Sequence, residues 1–175
     1  MPTAYLVLGP ETSGNRWLTS LHIEAGCAGS AAHKQPFDSE LPDPADEPLI
    51  VLRRSLPYWG RWPDLRYLVQ RLRRAGYAVV ATVIVRDWQV TRVAQTRAGY
   101  GIRDEQHAHE RMREALRRIV TSLVNDCVEW TLVTYESLIL HPHEAVASLF
   151  DWLGLPAPEI NAVDGNEKYY LKGQT

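Results

Sequence analysis

Eight residues near the start of the chain, Gly9-Pro10-Glu11-Thr12-Ser13-Gly14-Asn15-Arg16, have the types and spacing to hold an anion. The two glycines show the G-x-x-x-x-G spacing of a phosphate-binding loop. Backbone N–H groups in such a loop can converge on one anion, and a following helix adds about half a positive charge at its N-terminus. Ser13 offers a hydroxyl donor. A nucleotide-hydrolysing loop continues with Lys and then Ser or Thr, but here those positions are Asn15 and Arg16. Bound magnesium would then lack its usual hydroxyl ligand. The loop suits phosphate binding and is poor for ATP hydrolysis. The plainer alternative is a strand–helix turn that needs glycine for its shape alone.

Other groups with chemistry lie further along. Arg86 and Asp87 follow the valine-rich run at 78–85, where ligands of open α/β sheets bind. Asp87 reads either as a metal-binding carboxylate or, preferably, as the N-cap of a helix starting at Trp88. Arg53-Arg54-Ser55 follows a second apolar run. His22, His107, His109, His141 and His143 read as surface or capping residues rather than bases. Both H-x-H pairs place their rings apart on a helix and lack a third ligand, so no metal site is expected. Asp126, Glu129 and Glu136 form no paired-carboxylate pattern. Trp59, Trp62 and Trp88 flank the ligand loops; Trp59 and Trp62 could wall a bound ligand, and plugging the core is the simpler reading.

The elements that must position these groups alternate. Tyr5-Leu6-Val7-Leu8 reads as a buried strand ended by Gly9-Pro10. Trp17, Leu18, Leu21 and Ala25 have helical spacing over 15–25, with Gly26 as the stop. Residues 28–48, with four prolines and five acidic residues between Pro36 and Pro48, read as a surface loop. Leu49 to Leu52 form a second strand-like run. Leu65, Leu68, Val69 and Leu72 predict an amphipathic helix over 64–75, and 78–85 a strand buried on both faces. Residues 88–97 read as a helix, 104–124 as a long one, and 131–135 as a fourth strand. His141-Pro142 opens a helix with Val146, Leu149, Phe150 and Leu153 inward, closed by Gly154 and Pro156. Residues 157–175 show no period. The alternation predicts an α/β fold, a mostly parallel sheet with helices on both faces.

The chain of 175 residues carries 45% hydrophobic and 23% charged residues, within the globular range. Residues 53–118 hold 15 Arg and no Lys against 6 acidic residues, a local balance of +9 within a net charge of −2. Acidic flanks around a positive zone suit a small anionic ligand and disfavour nucleic acid. Cys27 and Cys127 form no CxxC motif or disulfide framework, which favours a reducing cytosol. No run approaches the ~20 apolar residues of a membrane helix. The opening MPTAYLVLGPE lacks a basic region and is not expected to be a signal peptide. A cytoplasmic protein with no membrane partner is the expectation.

Together these stretches resemble the sulfotransferase family, which uses 3′-phosphoadenosine-5′-phosphosulfate (PAPS) within a P-loop fold. GPETSGNRWL, VLRRSLP, VIVRDWQVTRVAQ, and the pair TYESLILHP and LFDWLGLP carry the resemblance in the family's order, spanning most of residues 5–156. It implies a three-layer P-loop NTPase-like domain over 1–156 and a C-terminal tail, 157–175, completing the nucleotide site. It implies that Thr12, Ser13, Gly14, Asn15, Arg16 and Trp17 cradle the 5′-phosphosulfate, with Gly9, Pro10 and Glu11 as further cofactor-binding residues of the same loop. Arg86 would clamp the 3′-phosphate, assisted by Lys172-Gly173.

Three positions depart from the family. Its loop lysine falls on Thr12, with Arg16 as the candidate replacement. A serine that follows the arginine falls on Ala94, with Thr91 as the candidate substitute. The catalytic histidine falls on Ser55, a poor base at neutral pH. The candidate catalytic set is therefore Arg16, Thr12 and Ser55. The chemistry implied is in-line sulfuryl transfer to an acceptor hydroxyl or amine on a small molecule or carbohydrate, with no metal required. The alternatives are a non-catalytic nucleotide-binding relative and a P-loop kinase or NTPase with Asp87 on the metal.

Overall fold

The computed structural model describes residues 1–32, 37–58, 60–160 and 164–166. The chain runs β1 (Thr3–Pro10), α1 (Asn15–Glu24), β2 (Ala28–Gly29), β3 (Leu49–Leu56), α2 (Leu65–Arg74), β4 (Ala78–Val85), α3 (Trp88–Arg97), α4 (Glu105–Asn125), β5 (Glu129–Thr134), α5 (Tyr135–Leu140) and α6 (Pro142–Leu153). The five strands form one parallel sheet in the order β2-β3-β1-β4-β5.

Side chains alternate across a strand, so β1 feeds two cores. Ala4, Leu6 and Leu8 pack with Leu68, Val69 and Leu72 of α2 and Ala115, Ile119 and Leu123 of α4. Tyr5 and Val7 pack on the opposite face with Leu18 and Leu21 of α1, Leu138 of α5, and Val146, Leu149 and Phe150 of α6. The result is three layers, helix–sheet–helix, as the alternation of elements predicts. A central parallel strand buried on both faces must be apolar at consecutive positions, which is the pattern of β1 and β4.

Local signals set most boundaries. Asp64 caps α2 by accepting from the Tyr67 N–H at 2.9 Å, and Asp87 caps α3 by accepting from the Val90 N–H at 3.0 Å. The Asp87 carboxylate therefore serves as the cap, the preferred of its two readings. On α4, Glu114 receives Arg117 and Arg118 at i+3 and i+4, a solvated pairing that draws its carboxyl down to about 2.

Four features differ from the sequence expectation. Strand β3 continues past Leu52 to Leu56, because Arg53 and Ser55 are buried in the sheet despite their polarity. Ala28 and Gly29, read as loop, form β2 at the sheet edge. Strand β5 starts earlier, at Glu129, and ends at Thr134. There α5 begins at once, since the Thr134 hydroxyl accepts from the Ser137 N–H at 3.1 Å. His22 lies in the core, not on the surface, between Tyr5 and Phe150.

Candidate functional site

The strand order places the site. From β1 the chain goes to the β2–β3 side, and from β4 it goes to the β5 side, so a crevice opens at the C-terminal ends of β1 and β4. A cavity of about 460 Å³ lies there. Its floor is the loop after β1, which contributes Glu11, Thr12, Gly14, Asn15, Arg16 and Trp17. Strand β3 brings Arg53 and Ser55, and β4 brings Arg86 at its tip. Tyr58, Tyr100, Tyr135 and Gly165 complete the wall.

Close packing explains the two glycines. A Cβ on Gly9 would stand 2.3 Å from the Ile84 carbonyl oxygen, so only glycine lets β1 pass β4 here. Gly14 has φ +102°, in the left-handed region, and is the N-cap of α1. No side chain caps that helix among the described residues, so the N–H groups of its first turn face the cavity end without an intrahelical partner. Thr12 also has a positive φ, 69°, which a β-branched residue adopts only under strain. Its hydroxyl donates to the Thr91 carbonyl at 3.3 Å, tying the strained turn to α3.

The loop's interior is held by its own side chains. Ser13 is fully buried and its hydroxyl donates to the Pro10 carbonyl at 2.7 Å. The Asn15 amide donates to the Gly9 and Pro10 carbonyls and to the Ser55 hydroxyl, the last at 3.0 Å. Gly9, Pro10 and Ser13 thus shape the loop, while Thr12, Gly14, Asn15, Arg16 and Trp17 line the cavity. Thr91 is fully buried and is not among the lining residues; its hydroxyl has no hydrogen-bond partner among the described residues.

Three guanidinium groups line the space: Arg16, Arg53 and Arg86. Arg16 Nε donates to the Ala31 carbonyl at 3.1 Å, and Arg53 Nη2 to the Ala32 carbonyl at 2.8 Å. Burial, and then the charge of Arg16, pull Arg53 below the usual guanidinium value. Arg86 Nη1 donates to the Thr12 carbonyl at 3.2 Å, and its guanidinium lies 4.5 Å from the centroid of the Tyr135 ring. Glu11 is the one carboxylate lining the cavity among the described residues. It faces Arg111 Nη2 at 3.7 Å, both side chains being largely buried. Burial, followed by the Glu11 charge, pushes the Tyr100 phenol up. The net field is positive, and it suits a multiply charged anion.

The structure brings Arg16, Ser55 and Arg86 around one cavity. Tyr58, Tyr100 and Tyr135 escaped the sequence reading because each follows a different element and no local spacing links them to the loop. Trp62 packs against the core and under Arg118, 4.3 Å from guanidinium to ring centroid. Trp88 stacks on His109. Lys172, Gly173 and Trp59 lie outside the described residues. No cluster of metal-ligating side chains occurs among the described residues. Among them, no helix is long and apolar enough to cross a membrane.

No protein-family model matches the sequence, and no curated protein matches it. Among solved structures, the sulfotransferase domain from the curacin biosynthetic pathway superposes with a TM-score of 0.60. The match covers 89% of this chain and 75% of that one, at 13% identity. The likeness is one of fold: an α/β chain with a parallel five-strand sheet between helices, arranged as in that sulfotransferase domain.

Proposed function

We propose that the cavity binds 3′-phosphoadenosine-5′-phosphosulfate and passes its sulfuryl group to a hydroxyl or amine of a small-molecule or carbohydrate acceptor. One observation carries the reading. The uncapped N-terminus of α1 and the Arg86 guanidinium stand at the tips of neighbouring strands and line one cavity, as two anion sites on a single bisphosphate would. The solved sulfotransferase domain with the same fold supports it.

In this reading the first-turn N–H groups of α1 hold the 5′-phosphosulfate and Arg86 holds the 3′-phosphate. The acceptor oxygen or nitrogen attacks sulfur and gives up its proton to water, the bond from sulfur to the bridging oxygen breaks, and the electron pair stays on the departing phosphate. Arg16 and Arg53 supply positive charge beside that oxygen, which is the main demand of the step. Thr12 and Ser55 offer hydroxyls at the same end, and Ser55 acts as a hydrogen-bonding group rather than a strong base. None of these roles needs a metal.

The test is calorimetric titration with 3′-phosphoadenosine-5′-phosphate in the absence of magnesium. Binding that is lost in Arg86→Ala is expected, and no binding to the wild type would overturn the proposal. A second reading, nucleotide binding without turnover, is favoured by one feature: no histidine or lysine lines the cavity among the described residues. Incubation with PAPS and a panel of acceptors separates the two. Release of the desulfated nucleotide supports transfer, whereas binding without release supports the second reading.

A further inference from the structure

At the Arg86 end of the cavity stands a residue with no obvious signal in the sequence, Asn166. It is 3% exposed, and it commits both ends of its amide to ionisable groups. Its Oδ1 accepts from Arg86 Nε, and its Nδ2 donates to Glu136 Oε1 at 2.9 Å. The same Glu136 oxygen accepts from the Asp87 N–H at 3.0 Å, which ties residue 166 to the turn that follows Arg86. The neighbouring Gly165 N–H donates to the Tyr135 hydroxyl at 3.1 Å, and the Tyr135 ring supports the Arg86 guanidinium.

Arg86 is therefore held from three directions. Thr12 of the loop and Asn166 accept its N–H groups, and Tyr135 lies against its face. A long arginine side chain loses rotamer freedom when it captures an anion, and one already fixed in place loses less. Fixing the fork also sets which way its donors point, which matters for a tetrahedral oxyanion.

We infer that Asn166 is a positioning residue, which with Glu136 orients Arg86 to receive the 3′-phosphate of the nucleotide. The inference rests on the nucleotide reading above. It assigns the described tail residues, Asp164 to Asn166, a part in discriminating a 3′-phosphorylated nucleotide from one without that group.

Calorimetry with the full chain tests it, using 3′-phosphoadenosine-5′-phosphate and adenosine 5′-monophosphate as paired probes. The wild type is expected to prefer the first. Asn166→Ala cuts that preference about tenfold, the worth of one charge-assisted hydrogen bond, and leaves adenosine 5′-monophosphate affinity within about twofold. Glu136→Ala lowers the preference in the same direction, and Glu136→Gln, which keeps a carbonyl oxygen for the Asn166 amide, restores it. The double variant Asn166→Ala with Glu136→Ala loses no more than the worse single one. An unchanged ratio, or equal weakening of both nucleotides, overturns the inference while the nucleotide reading stands. A wild type without preference for the 3′-phosphate overturns the nucleotide reading itself, and is seen before any substitution is made.

Discussion

The Asn15 amide donates to the Ser55 hydroxyl across 3.0 Å, joining the first residue of α1 to the C-terminal end of β3. Because the same amide also donates to the Gly9 and Pro10 carbonyls, one side chain holds the loop closed and fixes the wall that faces it. The position that carries lysine in a nucleotide-hydrolysing loop is thus used here for architecture.

Asn15→Ala should lower stability by about 2 kcal/mol, since it removes the buried hydrogen bonds to the Gly9 and Pro10 carbonyls and to the Ser55 hydroxyl. Ser55→Ala should cost about 1 kcal/mol or less, because Asn15 keeps its two carbonyl partners. Urea denaturation followed by tryptophan fluorescence measures both. Equal losses in the two variants would contradict the role assigned to Asn15.

Gly9→Ala should be the more damaging change. Its Cβ would meet the Ile84 backbone oxygen at 2.3 Å, and the two strands would have to separate at the floor of the cavity. A loss of about 3 kcal/mol is expected, in the range of overpacking at a rigid site. A thermal midpoint within a degree of the wild type would refute the close approach.

Acid should weaken the fold through His22. Burial pulls its ring from 6.5 to about 4, against the opposing pull of the Leu18 carbonyl, to which Nδ1 donates. The unfolded chain therefore binds more protons between those values, so stability is full above pH 6.5 and declines as pH falls toward 4. The decline attributable to this group is about 3 kcal/mol. Urea midpoints measured across that range should fall steeply in the wild type and less in His22→Met. Parallel curves for the two proteins would remove His22 from the account.

Arg111 is expected to matter for the cavity without lining it. Its Nη1 donates to the Tyr100 carbonyl at 2.7 Å, and its Nη2 faces the buried Glu11 carboxylate. Arg111→Ala takes a cation away from a buried carboxylate and should cost about 3 kcal/mol, with Glu11→Gln in the same chain recovering part of it. A chemical-denaturation cycle over the two positions reads the coupling, and strict additivity would argue against the pair.

Much of the fold could be read in advance because its signals are local. The valine-rich run at 78–85 and the helix at 88–97 match β4 and α3 residue for residue, since apolar content and an Asp cap act within a few positions. Where burial is decided by distant partners, the reading fell short. Arg53 and Ser55 look unlike strand residues until β1 is placed beside them, with Val7 and Gly9 in register. Thr91, the candidate substitute for the serine that the resembled family carries at position 94, is buried by the packing of α3 and does not line the cavity.

By itself, then, the amino-acid order determined the succession of strands and helices, the glycine turn after β1 and the arginine at the tip of β4. Each of those follows from periodicity, capping or backbone sterics over short spans of chain. The tertiary structure alone decided that β1 and β4 are neighbours, that Ser55 meets Asn15, and that Asn166 meets Arg86 across a separation of 80 residues. No local rule connects such positions, because their contact depends on how the sheet orders its strands and on which side chains the two cores leave at its open end.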